Sequence, residues 1–312
     1  MDFAIAGGGV IGLACARELA GRGRQVTLYD ARHRGQASWA AAGILGPQSE
    51  VHEPSPLLDL CRTSFALYRK FVEHLGDVGF RSNGTLHRAF TDEDAARLEA
   101  LARWQRAAGL SVEERRDGLF FPEEGQVDNR RLVQALRADC ERKGVRFSDG
   151  PAVNPSIVCG GAWSGYGVFP VKGEIIALDA KPPDCVVFGG GGYLVPRGDV
   201  TLVGATSERR ADLELTKSAR DSLLAVAAKH GYGGARVVDH WAGLRPATED
   251  GLPLLGRAGD LIVATGHYRN GILLAPITAK IVAALVEDGK PPVDLAPFDP
   301  LRYSARPSGR HP

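Results

Sequence analysis

Phe3-Ala4-Ile5-Ala6, then Gly7-Gly8-Gly9-Val10-Ile11-Gly12, and after an amphipathic stretch Val26-Thr27-Leu28-Tyr29-Asp30, is the run that decides the fold. It predicts a strand, a glycine turn, a helix, a second strand and a terminal carboxylate. Each piece has a task in holding a dinucleotide. Gly7 permits the tight turn, and Gly9 lets the backbone approach a pyrophosphate that a Cβ would push away. Gly12 lets helix and strand pack closely, and the amides that open the helix point at phosphate charge. Asp30 stands where a carboxylate accepts hydrogen bonds from ribose hydroxyls. A lone G-x-G-x-x-G carries little weight in a chain with 39 Gly among 312 residues. The flanking strands and the acid supply that weight, against the alternative of an ordinary βα turn.

Bulk properties narrow the class. A chain of 33.2 kDa buries a large core, in two domains or one elaborated domain. The net charge of +1 gives no electrostatic footprint for nucleic acid or an anionic membrane. No apolar run approaches the length of a membrane span, and the first strand begins at residue 2, which leaves no room for a signal peptide. Cys15, Cys61, Cys140, Cys159 and Cys185 are scattered without a C-x-x-C pair, and the His residues show no metal-ligand spacing. These features predict reduced thiols in a cytoplasmic protein and no metal site.

Further along, apolar spacing predicts helices over Pro56 to Leu75, from Thr91 onward, and from Asp128 to about Gly144. Val145-Arg146-Phe147 and Ile157-Val158-Cys159 are short enough for buried strands. From Val171 to Val203 the pattern turns to β with Gly and Pro breaks. A helix over Thr216 to His230, strands at Val237–Trp241 and Leu261–Ala264, a turn at Gly266–Gly271 and an apolar helix from Ile272 to Val286 follow. The tail after Gly289 is predicted to fray. The order is α/β at both ends with mostly antiparallel strands between. It predicts a discontinuous nucleotide domain over 1–80, 118–165 and 243–290, a β-rich substrate domain over 81–117 and 166–242, and a tail over 291–312.

Five motifs then occur in one order: Ser38-Trp39-Ala40-Ala41-Ala42-Gly43, Gln126-Val127-Asp128, Gly161-Ala162-Trp163-Ser164, Gly243-Leu244-Arg245-Pro246 and Gly266-His267-Tyr268-Arg269-Asn270-Gly271-Ile272. With them the chain, from the first strand to about Val286, resembles the D-amino-acid oxidase superfamily of flavoproteins, and within it the glycine oxidases of thiamine (thiazole) biosynthesis. The resemblance implies an α/β fold: a Rossmann-like FAD-binding domain of D-amino-acid-oxidase type with an inserted antiparallel β-rich substrate domain. It implies non-covalent FAD and hydride transfer from the Cα of glycine, or a similarly small amino acid, to flavin N5. The products would be the imine or glyoxylate, ammonia and, through O2, hydrogen peroxide. The family is commonly homo-oligomeric.

Carried over motif by motif, Val10 and Ile11 flank the pyrophosphate, and Asp30 and Ala31 meet the adenosine ribose. Ala37, Ser38, Ala42, Gly43 and Ile44 line the cofactor, although an alanine-rich loop also suits simple helix-start packing. The turn from His267 through Tyr268, Arg269, Asn270, Gly271 and Ile272 to Leu273 opens a helix whose amides and dipole can face the pyrimidine edge of the flavin. The bland alternative is a loop that merely closes a βα unit. On the substrate side a planar guanidinium suits a carboxylate. Arg245 is assigned as the clamp, Arg269 as a flanking charge and Tyr193 as a hydroxyl donor. Pairing of Arg245 with Glu249 or Asp250, and a Tyr193 that only covers an apolar face, are the alternatives. His267 and His240 are not nominated as bases.

Two stretches are shorter than in that family, between Leu110 and Gly118 and between Gly150 and Ile157. In the second, relatives form a β meander over the adenine half of FAD, and Val153 is the match for its cofactor-binding valine. Three competing functions stay open on the sequence. They are a flavin dehydrogenase of the same fold, a shortened non-catalytic relative, and a nicotinamide enzyme, the last opposed by the His267–Ile272 motif.

Overall fold

Along the chain the computed structural model, which describes residues 2–51 and 53–303, runs β1 (Asp2–Ala6), α1 (Val10–Gly21), β2 (Gln25–Asp30), α2 (Ala37–Ala40) and β3 (Ile44–Leu45). Then come α3 (Pro56–Val72), β4 (Thr85–His87), α4 (Asp92–Ala107), β5 (Glu113–Arg115), β6 (Gly118–Phe121) and β7 (Gly125–Gln126). α5 (Asn129–Arg142), β8 (Arg146–Asp149), β9 (Ile157–Val158), β10 (Phe169–Asp179), β11 (Val186–Gly189), β12 (Gly192–Arg197) and β13 (Val200–Gly204) follow. The remainder is α6 (Lys217–Lys229), β14 (Arg236–Ala247), β15 (Leu254–Ala258), β16 (Leu261–Thr265) and α7 (Gly271–Val286).

The first sheet has the order β15-β16-β9-β1-β2-β8, parallel from β16 to β8 with β15 antiparallel at its edge. Parallel strands need crossovers over the sheet. Here α1, α3, α5 and α7 bury Leu13, Leu60, Leu136 and Ile281 in one core with Ile5, Leu28 and Ile157 of the strands. The second sheet runs β14-β10-β13-β12-β11-β4-β6-β5 and is antiparallel except for the β4–β11 pair. α6 packs Leu223, Val226 and Ala227 against its Ile176, Leu178 and Val203.

Sheet membership moves two of the boundaries read from the sequence. β6 pairs with β4 and β5, so residues 118–121 belong to the second sheet and not with the dinucleotide strands. β14 accompanies β10 as far as Ala247, so residues 243–247 belong there too. Gly243 and Pro246 both sit within β14, which lies at the sheet edge, where proline is tolerated. The tail is also corrected where it is described. Phe298 is 2% exposed, and Arg302 donates to both carboxylate oxygens of Asp250 at 2.7 and 2.8 Å. Residues 304–312 lie outside the described residues.

Helix starts separate into two kinds. Ser55, Thr91, Asp128 and Thr216 cap α3, α4, α5 and α6 by accepting first-turn amides, as short polar residues do. α1 and α7 have no side-chain cap and no acidic residue in the first turn. Apart from the Val10 amide, which donates to Ser38 Oγ, their first amides stay available, and both helices begin at the cavity described below. Among the described residues no helix is long and apolar enough to cross a membrane, and no cluster of three His, Cys, Asp or Glu side chains could hold a metal ion. All five cysteines are free thiols.

Candidate active site

Residues from both sheets enclose a cavity of ≈ 530 Å³, within the range of cofactor and small-molecule sites. The glycine turn forms one end. Gly7 has φ +119°, and a Cβ there would stand 2.3 Å from the Cys159 carbonyl oxygen. A Cβ on Gly12 would stand 1.9 Å from the Gly7 carbonyl oxygen. Only glycines close this turn. Gly7, Gly9, Val10 and Ile11 line the cavity, whereas Gly12 lies beneath, in the packing of helix on turn. The Val10 amide donates to Ser38 Oγ at 3.0 Å. The other first-turn amides of α1 have no acceptor within the helix, which fits an anion.

Asp30 and Ala31 continue the wall. Asp30 Oδ1 accepts from the Arg32 amide at 2.9 Å and Gln36 Nε2 at 3.2 Å, which fixes the carboxylate beside the turn. His33 and Trp163 stack there at 4.5 Å between ring centroids. Ala37, Ser38, Ala42, Gly43 and Ile44 line the next stretch. Asn129 Nδ2 holds that loop through the Ser38 and Trp39 carbonyls at 2.8 and 3.0 Å, and Arg197 Nη2 through the Ala42 carbonyl at 2.7 Å.

Besides Gly12, three assignments from the sequence do not line the cavity. Val153 is 81% exposed. The short loop is pinned by the Gly150 amide on the Asp30 carbonyl and the Ser156 amide on the Ala4 carbonyl, both 2.9 Å. Gly150, Pro151 and Ala152 line the cavity while Val153 faces solvent. Asn270 opens α7 with its carbonyl on the Leu274 amide at 2.8 Å. Leu273 is 1% exposed in the helical core.

The far end gathers charge. Arg245 has no carboxylate partner among the described residues: Glu249 pairs with Arg209 at 2.7 Å and Asp250 with Arg302 at 2.7 Å. Its Nη1 donates to the Thr206 carbonyl at 3.1 Å. The guanidinium lies over Gly173, where a Cβ would stand 2.2 Å from Nη2. Tyr193 is 8% exposed, and burial pushes its phenol up while Arg245, Arg269 and Glu50 all act on it. Arg269 lines the cavity too, but it is paired with Glu50 at 2.7 Å. The Tyr268 amide donates to the Pro246 carbonyl at 2.8 Å and ties this turn to the strand that carries Arg245. Gly271 and Ile272, at the start of α7, complete the wall.

His267 lines the cavity with its ring turned to Thr278, Nε2 to Oγ1 at 3.0 Å. Burial pushes its pKa down to about 3, so the imidazole is neutral at ordinary pH. Sequence reasoning missed Glu50, Gly173 and Glu124. Glu124 is fully buried, and its Oε1 accepts the Gln48 and Ser49 amides at 2.9 and 2.7 Å, fixing the turn that presents Glu50. None of the three stands in a patterned motif, so only the fold could have found them.

A family model described as FAD dependent oxidoreductase matches residues 2–285. The bifunctional protein ThiO/ThiG of Synechocystis sp. is 36% identical, over 97% of this chain and 54% of its own length. Glycine oxidase of Geobacillus kaustophilus is 34% identical, over 97% of each chain. The crystal structure of glycine oxidase from Geobacillus kaustophilus superposes with a TM-score of 0.89 at 33% identity, covering 96% of this chain and 99% of that one. The chain thus spans about half the length of its bifunctional relative and nearly all of the single-function one. Two uncapped helix starts, a glycine turn and a fixed carboxylate on one cavity fit FAD, and with a match this long the chain belongs to the FAD-dependent oxidoreductase family.

Proposed function

We propose that the chain oxidises glycine, or an amino acid of similar size, with O2 as acceptor, giving glyoxylate, ammonia and hydrogen peroxide through the imine. The observation that carries this reading is Arg245, a guanidinium without a carboxylate partner among the described residues, in the cavity that also holds the dinucleotide turn. Similarity to the glycine oxidase of Geobacillus kaustophilus supports it, and the ThiO/ThiG relative supports a place in thiamine biosynthesis. A homo-oligomer belongs to the same reading on the resemblance alone, and a cytoplasmic location on the scattered, unpaired cysteines.

Bound FAD supplies the two-electron acceptor for the hydride that leaves the substrate Cα. The amides of Gly9 and Ile11 would hold its pyrophosphate, Asp30 its ribose, and the start of α7 the pyrimidine edge. There the helix dipole favours negative charge by about 0.5–2 kcal/mol. Arg245 grips the substrate carboxylate bidentately, and Tyr193 adds a hydroxyl donor. Orientation by these two groups is the protein's main contribution, because a hydride route asks no side chain to take a proton from carbon. His267, neutral and bonded to Thr278, has no such task.

The test is the visible spectrum of the purified protein before and after anaerobic glycine. We expect a bound-flavin band that glycine bleaches, and that oxygen restores with release of peroxide. Colourless protein that takes up no added FAD, or a flavin band indifferent to glycine, overturns the reading.

A further inference from the structure

The cavity presents two guanidinium groups at its substrate end, and they are not equivalent. Arg245 is free of carboxylates among the described residues, whereas Arg269 is bound to Glu50 at 2.7 Å. Glu50 is only 18% exposed at its side chain, against 44% for Arg269, and both line the cavity with Tyr193. The Glu50 carboxylate is also the main influence that raises Arg269 above the ordinary guanidinium range.

The turn that carries Glu50 is held firmly. Glu124 Oε1 takes the Gln48 and Ser49 amides. Gln48 Nε2 donates to Gln105 Oε1 at 3.1 Å and the Ser111 carbonyl at 2.9 Å, and Gln105 Nε2 returns a bond to the Gln48 carbonyl at 2.9 Å. These bonds fix the backbone from which Glu50 projects, and the ion pair with Arg269 holds its largely buried carboxylate at the wall. The wall therefore offers two positive charges and one negative, a surplus that one substrate carboxylate satisfies. A second anionic group would find Arg269 taken and Glu50 repelling it.

We propose that Glu50 is a specificity-determining residue: by occupying Arg269 it restricts the site to amino acids with a single carboxylate, and without it Arg269 becomes a second anion clamp. The proposal rests on the reading of Arg245 as the clamp for a small amino acid.

The test uses the holoenzyme and two probes that are not oxidised as amino acids, glycolate with one carboxylate and malonate with two, titrated by the change in the flavin spectrum. The wild type is expected to bind glycolate about tenfold or more tighter than malonate, since like charges brought together are costly. Glu50→Gln should tighten malonate about tenfold while changing glycolate little, and should raise kcat/KM for iminodiacetate relative to glycine by a similar factor. Both gains should vanish when Arg269→Gln is added. Equal wild-type affinity for the two probes, unchanged malonate binding in Glu50→Gln, or a gain that survives Arg269→Gln overturns the proposal. The wild-type comparison alone decides it if Glu50→Gln does not hold the flavin. A wild type that discriminates between the probes but leaves glycine unoxidised would instead sink the proposed function and leave the role of Glu50 standing.

Discussion

Arg245 is placed by the register of two strands. Val171 is its partner across the β10–β14 ladder, but the guanidinium reaches over Gly173, two residues along. That diagonal lies within range of a long side chain, and only the missing Cβ of Gly173 leaves room for it. Because the displaced atoms are the end of a flexible side chain, Gly173→Ala should fold and keep its flavin while pushing the clamp out of line. We expect kcat/KM for glycine to fall about tenfold or more, as losses of bidentate alignment do. Arg245→Lys keeps the charge and loses the fork, and should cost roughly 1–3 kcal/mol in kcat/KM. Steady-state kinetics read beside the visible spectrum check both, and unchanged kinetics in both variants removes Arg245 from the substrate site. Residues that sit in motifs, such as Asp30, Arg245 and Arg269, were legible in the sequence. Gly173 and Glu50 were not, because what they do depends on which strand or turn lies opposite. Val153 misled because a loop of six residues holds its ends and turns its tip outward.

Elements matter through α7, whose first turn walls the cavity and whose interior contains Pro276. A proline there supplies no amide to the carbonyl four residues earlier. The Ile272 carbonyl is met instead by the Tyr68 hydroxyl of α3 at 3.1 Å. One turn away, Ser64 Oγ donates to the Leu273 carbonyl at 2.6 Å and accepts the Ile277 amide at 3.4 Å, so a side chain of α3 enters the helical ladder. α3 thus completes the backbone of α7 at the end where α7 walls the cavity. Tyr68→Phe leaves a buried carbonyl unmet and should cost about 1–3 kcal/mol. In a Pro276→Ala background the restored amide serves that carbonyl, and the same change should cost about 1 kcal/mol less. Urea unfolding of the four proteins measures the coupling, and additive costs would show that Tyr68 does not substitute for the missing amide. The helix predicted over Pro56 to Leu75 contains Ser64, and the predicted last helix runs through Pro276. The sequence could not show that these two observations explain each other, because the partners lie far apart along the chain.

At the scale of the whole molecule, two buried groups give stability opposite dependences on pH. Glu124 is pushed by burial from its ordinary 4.5 up to about 7. The folded protein keeps a proton that the unfolded chain has lost between those values. The stability this lends is full below pH 4.5 and disappears as pH rises through 7. His267 is pushed by burial from 6.5 down to about 3. The folded protein refuses a proton that the unfolded chain takes, so its contribution is full above pH 6.5 and is lost as pH falls through 3. Displacements of this size amount to roughly 3 kcal/mol for Glu124 and 5 kcal/mol for His267. Between pH 4.5 and 6.5 the two slopes oppose each other, so the wild-type curve conceals both, and variants separate them. Glu124→Gln keeps an oxygen for the Gln48 and Ser49 amides and removes the titration, so it should gain on the wild type steadily from pH 4.5 to 7. His267→Gln should gain on the wild type in the other direction, as pH falls below 6.5. Urea unfolding followed by tryptophan fluorescence across this range gives both difference curves. Two curves of opposite slope are the expected result, and a flat one for Glu124→Gln would mean that the carboxyl beneath the Glu50 turn holds its charge in the folded protein.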